Sequence, residues 1–271
     1  MSTLYVSDLD STLLRSDATL STFTRDTINK LTEKGLMFSY ATARSAVTAS
    51  AVTKGLCGDI PIIVYTGAFI MENGTHKILL SNFMTDDEVQ AVTDAVREFN
   101  LCPITYAYVG GKERFMYDPE VISESVREFI KTREGDSRSM AVTGGFEGTL
   151  RGDIFYFTFM EQKEKLRPVY DFLKLRCNCL FQPDNYTDNW FLEVMPIKAT
   201  KANSALKLKE ILGADKLIAF GDGYNDIKLF EVADEAYAVG NAVDELKTIA
   251  TGVIGTCDED GVAHWLLENF G

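Results

Sequence analysis

The sequence predicts an α/β protein: a doubly wound parallel sheet built from residues 1–81 and 189–271, interrupted by an α+β cap at 82–188. Three observations predict it. Strand-like and helix-like runs alternate near both ends of the chain, which is the rhythm of parallel strands joined by helical crossovers. In the middle the rhythm changes to strand-rich segments mixed with two helical ones. Two apolar strands, one in each outer part, run straight into aspartates, where open α/β sheets bind their ligands.

Taken in order, residues 4–7 form an apolar strand ending at Asp8 and Asp10, and residues 23–34 read as a helix. A strand follows at 37–41, a helix at 45–54 and a strand at 60–65. Asn73-Gly74-Thr75-His76 reads as a hairpin turn. The middle part holds helices at 87–99 and 119–132 and the aromatic run 154–159, whose alternation on a sheet packed by helices marks core. Cys177-x-Cys179 reads as strand packing. The alternation resumes after Trp190 with an amphipathic segment at 202–212, a strand at 216–220, helices near Asp226 and Asp244, and a last helix at 261–269. No repeat, low-complexity tract or Pro-rich linker is present, so the connections to the cap are expected to be short hinges.

Composition narrows the function classes. With 271 residues and 46% hydrophobic content the chain can bury a sizeable core and is expected to make two domains. Forty acidic against 27 basic residues give a net charge of −13, which argues against nucleic acid or an anionic membrane as main partner. No apolar run approaches the length of a membrane span, and no secretory signal is evident at the N-terminus. Five cysteines, odd in number and without C-x-x-C, point to reduced thiols in a cytosol. Only His76 and His264 are available, which excludes a His-rich zinc centre; His264, among apolar residues, reads as packing. Gly110-Gly111-Lys112 lacks the glycine spacing of a P-loop. Monomer and homodimer both remain open.

The chemistry concentrates at element boundaries. Asp8 and Asp10, two apart on an extended chain, project to one face, and two carboxylates that close require a cation, a raised pKa or both. Lys216-Leu217-Ile218-Ala219-Phe220 runs into Gly221-Asp222-Gly223-Tyr224-Asn225-Asp226, whose glycines allow close backbone approach and whose carboxylates are hard ligands suited to Mg²⁺. Thr42 ends a strand, and Thr200-Lys201 opens a helix; a hydroxyl and an ammonium there can hold phosphate oxygens. Each has a plainer reading: a solvated strand end, a simple turn, an N-cap for Thr200, a solvated lysine for Lys201.

Together these residues resemble the haloacid dehalogenase superfamily, specifically its Cof-type subclass IIB phosphatases. The motif order carries the resemblance: Asp8-Leu9-Asp10-Ser11-Thr12 is similar to D-x-D-x-T, Thr42 ends the second motif strand, and Glu193-Val194-Met195-Pro196 with Lys201 is similar to E-[IV]-x-P-x-x-x-x-K. Gly221 to Asp226 follows G-D-x-x-[ND]-D, and Ala238-Val239-Gly240-Asn241-Ala242 is similar to the A-V-x-N-A beyond it. Three positions depart from the pattern. Ser11 and Ala43 stand where glycine is usual, and Thr66 replaces the Asn of N-G-A; Ser11 and Ala43 would disturb the phosphate loop if either needs φ > 0.

The resemblance implies a Rossmannoid core, a cap that closes over the active site and selects the leaving group, and a Mg²⁺-dependent phosphatase for a small phosphorylated metabolite, with a sugar phosphate the best expectation. Asp8 would attack phosphorus to give an aspartyl-phosphate, and Asp10 would protonate the leaving oxygen and then deprotonate water. Asp8, the Asp10 carbonyl and Asp222 would hold Mg²⁺. Asp226 would fix that shell from outside, and Thr42, Lys201 and Asn225 would contact the phosphoryl group. Lys198 is a rival to Lys201 with poorer spacing. A phosphomutase and a catalytically silent binding protein on the same fold are the alternatives.

Overall fold

The computed structural model describes residues 2–56, 60–184 and 187–270. The chain divides into a first unit built from both ends of the sequence and a second formed by Asn82–Lys198. In chain order the first unit begins with β1 (Thr3–Ser7), α1 (Thr22–Thr32), β2 (Met37–Tyr40), α2 (Ala46–Val52), β3 (Ile62–Val64), β4 (Phe69–Met71) and β5 (Ile78–Ser81). The second unit holds α3 (Asp86–Phe99), β6 (Ile104–Val109), β7 (Lys112–Tyr117), α4 (Glu124–Lys131), β8 (Ser139–Ala141), β9 (Asp153–Glu161), α5 (Lys163–Leu173), β10 (Asn178–Pro183) and β11 (Trp190–Met195). The chain then returns to the first unit with α6 (Lys201–Leu212), β12 (Lys216–Gly221), α7 (Ile227–Val232), β13 (Glu235–Ala238), α8 (Asp244–Ile249), β14 (Gly252–Val253) and α9 (Gly261–Asn269).

The first unit is organised by a five-stranded sheet of order β14-β13-β12-β1-β2, parallel throughout. From β1 the chain winds outward to β2, and from β12 it winds the other way to β13. The adjacent β1 and β12 therefore flank a topological switch point, where the loops at the strand ends separate and leave a crevice. Both strands are apolar and buried because helices cover the sheet. Trp265 of α9 lies against one face of it, with ring centroids 5.2 Å from Phe220 and 4.4 Å from Tyr237.

The strand expected at 60–65 behaves differently. It spans Ile62–Val64, touches the parallel sheet only through a bridge from Ala41 to Ile63, and pairs antiparallel with β4 in a three-stranded sheet β3-β4-β5. The cause is local. Tyr65 and Thr66 both take positive φ, so the chain reverses at once and no helical crossover can form. The expected turn at 73–76 connects β4 and β5, with His76 Nε2 2.9 Å from Ser50 Oγ.

The second unit carries a six-stranded sheet, β10-β11-β9-β6-β7-β8, antiparallel except for β7 with β8. Phe157, Phe159, Leu192 and Val194 meet α3 and α5 on one face, and Ile104, Phe115 and Met160 meet Val126 of α4 on the other. The aromatic run 154–159 is accordingly core. The helix expected at 119–132 starts only at Glu124, because the Asp118 carboxylate accepts from the Glu120 and Gly145 N–H groups and holds a turn, and Ser123 then caps the helix. Trp190–Met195, expected in the core at 189–271, pairs with β9 and β10 in this second sheet, so the units divide at Lys198/Ala199. Among the described residues no helix is long and apolar enough to cross a membrane, and Cys102, Cys177, Cys179 and Cys257 are free thiols. Cys57 lies outside the described residues.

Candidate active site

Asp8 leaves the end of β1 with its N–H still bonded to the Phe220 carbonyl of β12 at 2.9 Å, so the sheet itself fixes its backbone. Its side chain accepts from the Leu9 N–H at 2.8 Å. The chain then makes a single wide turn, Leu9–Leu13, closed by Leu14 N–H to Leu9 O at 2.8 Å. Inside it Ser11 is left-handed at φ 57°, a conformation that costs a residue with a β-carbon about 1–2 kcal/mol. The departure from glycine at Ser11 therefore carries real strain, whereas Ala43 is absent from the positive-φ residues described. Half-exposed Asp10 is gripped by the Arg44 guanidinium, Nε to Oδ2 at 2.9 Å and Nη2 to Oδ1 at 2.5 Å.

Thr200 caps α6 through its hydroxyl, which accepts from Asn203 N–H at 3.0 Å. The next residue, Lys201, is fully buried and bridges two carboxylates, 2.7 Å from Asp8 Oδ1 and 2.7 Å from Asp226 Oδ1. The N-cap and functional readings hold together, since the cap places Lys201 where the helix starts. The close approach depends on Gly67, whose φ is +100° and where a β-carbon would lie 2.3 Å from the Thr200 carbonyl oxygen. The other Asp226 oxygen accepts from the Asp222 and Gly223 N–H groups at 3.1 Å each, and Gly221 makes room, because a β-carbon there would sit 2.7 Å from that carboxyl group. Asp222 Oδ1 accepts from the Thr12 hydroxyl at 2.8 Å.

Thr42 is buried at the end of β2. Its oxygen accepts from Arg44 N–H at 3.1 Å, which leaves its own O–H to donate. Asn225 is half-buried in the 224–226 turn. The structure thus collects Asp8, Lys201, Asp222 and Asp226 into one cluster, joins Asp10 to Arg44, and sets Thr42 beside Arg44. Lys198 is exposed and belongs to the second unit.

Two aspartate-bearing strand ends at a switch point, with a buried lysine between carboxylates, are in place when the chain is compared with known proteins. The sequence pattern of the haloacid dehalogenase-like hydrolases spans residues 5–266. The chain belongs to this family. Two Bacillus subtilis relatives, the 5-amino-6-(5-phospho-D-ribitylamino)uracil phosphatases YwtE and YitU, are each 25% identical, covering 96% and 97% of this chain and 95% and 96% of their own. A haloacid dehalogenase-like hydrolase from Bacteroides thetaiotaomicron superposes with TM-score 0.74 at 24% identity over 99% of both chains. The Thermotoga maritima protein TM0651 gives 0.76 at 22% over 99% of this chain and 97% of its own. By family and relatives the chain is an enzyme of the phosphatase kind.

The electrostatics of this hydrolase site follow from burial. Burial pushes the Asp8 carboxyl well above the ordinary range; Lys201 opposes the shift, and Asp226 and Asp222 add to it. Burial, and then Asp226, push Asp222 up to about 6 against the hydrogen bond from Thr12 and the charge of Lys201. For Lys201 burial acts downward, but Asp226 and Asp8 outweigh it and its pKa is raised. Three carboxylates, Asp8, Asp222 and Asp226, bring oxygens within 4.8 Å of one another, against one ammonium. Such a set of hard oxygens with surplus negative charge fits a divalent cation. Asp226 has both oxygens engaged by Lys201 and backbone N–H groups, so Asp8 and Asp222 are the better donors.

Sequence reading missed three contributors. Arg44 follows Thr42 by two residues, and that spacing was the available signal. Thr12 and Asn241 were part of quoted motifs, but their partners, Asp222 and Ser11, are distant in sequence.

Proposed function

We propose that this protein is a Mg²⁺-dependent phosphatase that hydrolyses a small phosphorylated metabolite carrying its phosphate on a sugar or sugar-alcohol chain. The observation that carries the reading is the buried Asp8–Lys201–Asp226 ion-paired chain at the switch point. Lys201 opposes the upward push of burial on Asp8; in its carboxylate form Asp8 needs no separate base, so it attacks phosphorus and takes the phosphoryl group as an aspartyl-phosphate. Asp10 supplies a proton to the departing oxygen and later takes one from the water that hydrolyses the aspartyl-phosphate. Arg44 occupies Asp10 Oδ1 with two N–H groups and Oδ2 with one, so Oδ2 keeps a lone pair that can carry the proton. Thr42, Lys201 and Asn225 hold the phosphoryl oxygens, and Asp226 orients Lys201 and the Asp222 loop. A divalent cation held by Asp8, the Asp10 carbonyl and Asp222 would offset repulsion between the anionic ester and these carboxylates.

The substrate class rests on the names of the two Bacillus relatives, whose substrate bears its phosphate on a ribityl chain. The free thiols fit a reducing cytoplasm. The test is a panel of hexose, pentose and ribityl phosphates with and without Mg²⁺, reading free phosphate and ester structure. Mg²⁺-dependent release of phosphate, fastest on a polyol ester, is the expected result. An isomerised ester without free phosphate would replace this reading with a mutase, and no turnover of any ester would leave a binding protein.

A further inference from the structure

We propose that Asn241 is a positioning residue for the catalytic loop: its side-chain amide, strung between the Ser11 carbonyl and the Cys257 N–H, holds the left-handed turn that sets Asp10 on one side and Thr12 on the other. The inference rests on the phosphatase reading for its catalytic consequence, and on geometry alone for the clamp.

Asn241 Nδ2 donates to Ser11 O at 2.7 Å, and Asn241 Oδ1 accepts from Cys257 N–H at 2.8 Å. The two ends of an amide are chemically distinct, and only one orientation satisfies both partners. Both anchors are fixed. Cys257 opens a turn locked by Glu259, whose carboxylate accepts from Thr256 N–H at 2.9 Å and from Thr256 Oγ1 at 2.8 Å. Asn241 itself sits in a turn tied to the end of β12, since Val243 N–H donates to the Asp222 carbonyl at 2.9 Å.

The same C-terminal turn grips the loop after Asp10 at two further points. Asp258 accepts from Ser16 N–H at 2.9 Å and from its hydroxyl at 3.0 Å, while Asp260 accepts from Arg15 at 2.7 Å and from Thr24 at 3.0 Å. Asn241 is the member of this clamp that reaches the strained residue. Ser11 lies between Asp10, which is to handle the proton, and Thr12, which holds Asp222. A serine in that conformation tends to relax toward ordinary φ, and relaxation would turn the flanking peptide groups and swing both side chains. Asn241 is exposed and makes no contact with the Asp8, Lys201 and Asp226 cluster in the hydrogen bonds described, so its role is exerted through Ser11.

The consequence is selective. Losing the clamp loosens Thr12 on Asp222, which lowers turnover of every ester, and impairs proton delivery from Asp10, which adds a loss for an alkyl ester with a poor leaving group and little for 4-nitrophenyl phosphate. We expect Asn241→Ala to lower kcat on a hexose or ribityl phosphate about 10-fold more than on 4-nitrophenyl phosphate. Ser11→Gly, which adopts the turn without strain, should recover most of that loss in the double variant. Asn241→Asp keeps the Cys257 bond but opposes an oxygen to the Ser11 carbonyl, and should be at least as impaired as the alanine variant. Thermal midpoints of the wild type, both single variants and the double variant supply a readout independent of turnover: the two substitutions should be non-additive, the glycine reducing the cost of losing Asn241. Equal losses on both esters, no recovery by glycine, a neutral Asn241→Asp or additive midpoints would overturn the clamp. An Asp8→Asn variant as active as wild type would instead overturn the phosphatase reading, while the midpoints would still decide whether Asn241 holds Ser11.

Discussion

Two regions, the Lys201 cluster of the first unit and Glu193 in the sheet of the second, treat buried acids in opposite ways. In the first, Asp8 and Asp226 are buried around Lys201, and the ammonium and backbone N–H groups answer them. In the second, Glu193 stands on β11 between Leu180 of β10 and Thr158 of β9, and its Oε2 is buried without a hydrogen-bond partner among the described residues. Burial pushes the Glu193 carboxyl up to about 7, partly offset by a hydrogen bond from Tyr156. The difference teaches that Asp226 is accommodated by preorganised partners, whereas Glu193 is accommodated chiefly by favouring its neutral form.

Breaking the first half of this contrast should have the largest effect. Lys201→Met removes the ammonium between two buried carboxylates; stability should fall by about 3–5 kcal/mol, the range for orphaning a buried ion pair. Turnover should fall by about 10²- to 10³-fold. Denaturant unfolding and phosphate release measure the two, and a variant as stable as wild type would mean that Asp8 and Asp226 are not ionised together.

The second half is sharpened by pH. A Glu193 pKa of about 7, above its ordinary 4.5, means that the folded form holds the proton more tightly. Its contribution to stability is full below about pH 4.5 and is lost as pH rises through about 7, a loss on the order of 1–3 kcal/mol. Glu193→Gln should remove that part of the slope, so the difference in melting temperature between variant and wild type should widen from pH 5 to pH 8 in the variant's favour. A pH-independent difference would place Glu193 among ordinary solvated carboxylates.

The smallest effect concerns strain rather than charge. Thr66 is buried, left-handed at φ 54° and carries a hydroxyl without a partner among the described residues. Asparagine tolerates this region better than a β-branched residue, so Thr66→Asn should stabilise the first unit by about 0.5–1 kcal/mol, roughly 2 °C in melting temperature.

The same contrast explains what the sequence could disclose. The cluster of Asp8, Lys201, Asp222 and Asp226 was readable because each sits at a strand end or helix start, where local pattern dictates geometry. The grip of Arg44 on Asp10 and the tie from Asn241 to Ser11 were not, because they join residues brought together only by the packed sheet. Positive φ at Ser11 and Thr66 is likewise imposed by tertiary contacts against local preference. Trp190–Met195 was assigned by sequence only to the outer part of the chain, because its place is set by pairing with β9 and β10, which are distant in sequence. The burial of Glu193 Oε2, inside a motif frame that was recognised, depends on its place between β9 and β10 and was not legible in that frame.

The central claim is that Asp8 is the nucleophile of a phosphatase. The most direct measurement is phosphate release from 4-nitrophenyl phosphate in Mg²⁺ by the wild type beside Asp8→Asn, with both proteins shown to be folded by their melting curves. The account predicts release by the wild type and a loss of at least about 10³-fold in the variant, because an amide cannot take the phosphoryl group. Comparable release by both proteins would contradict it.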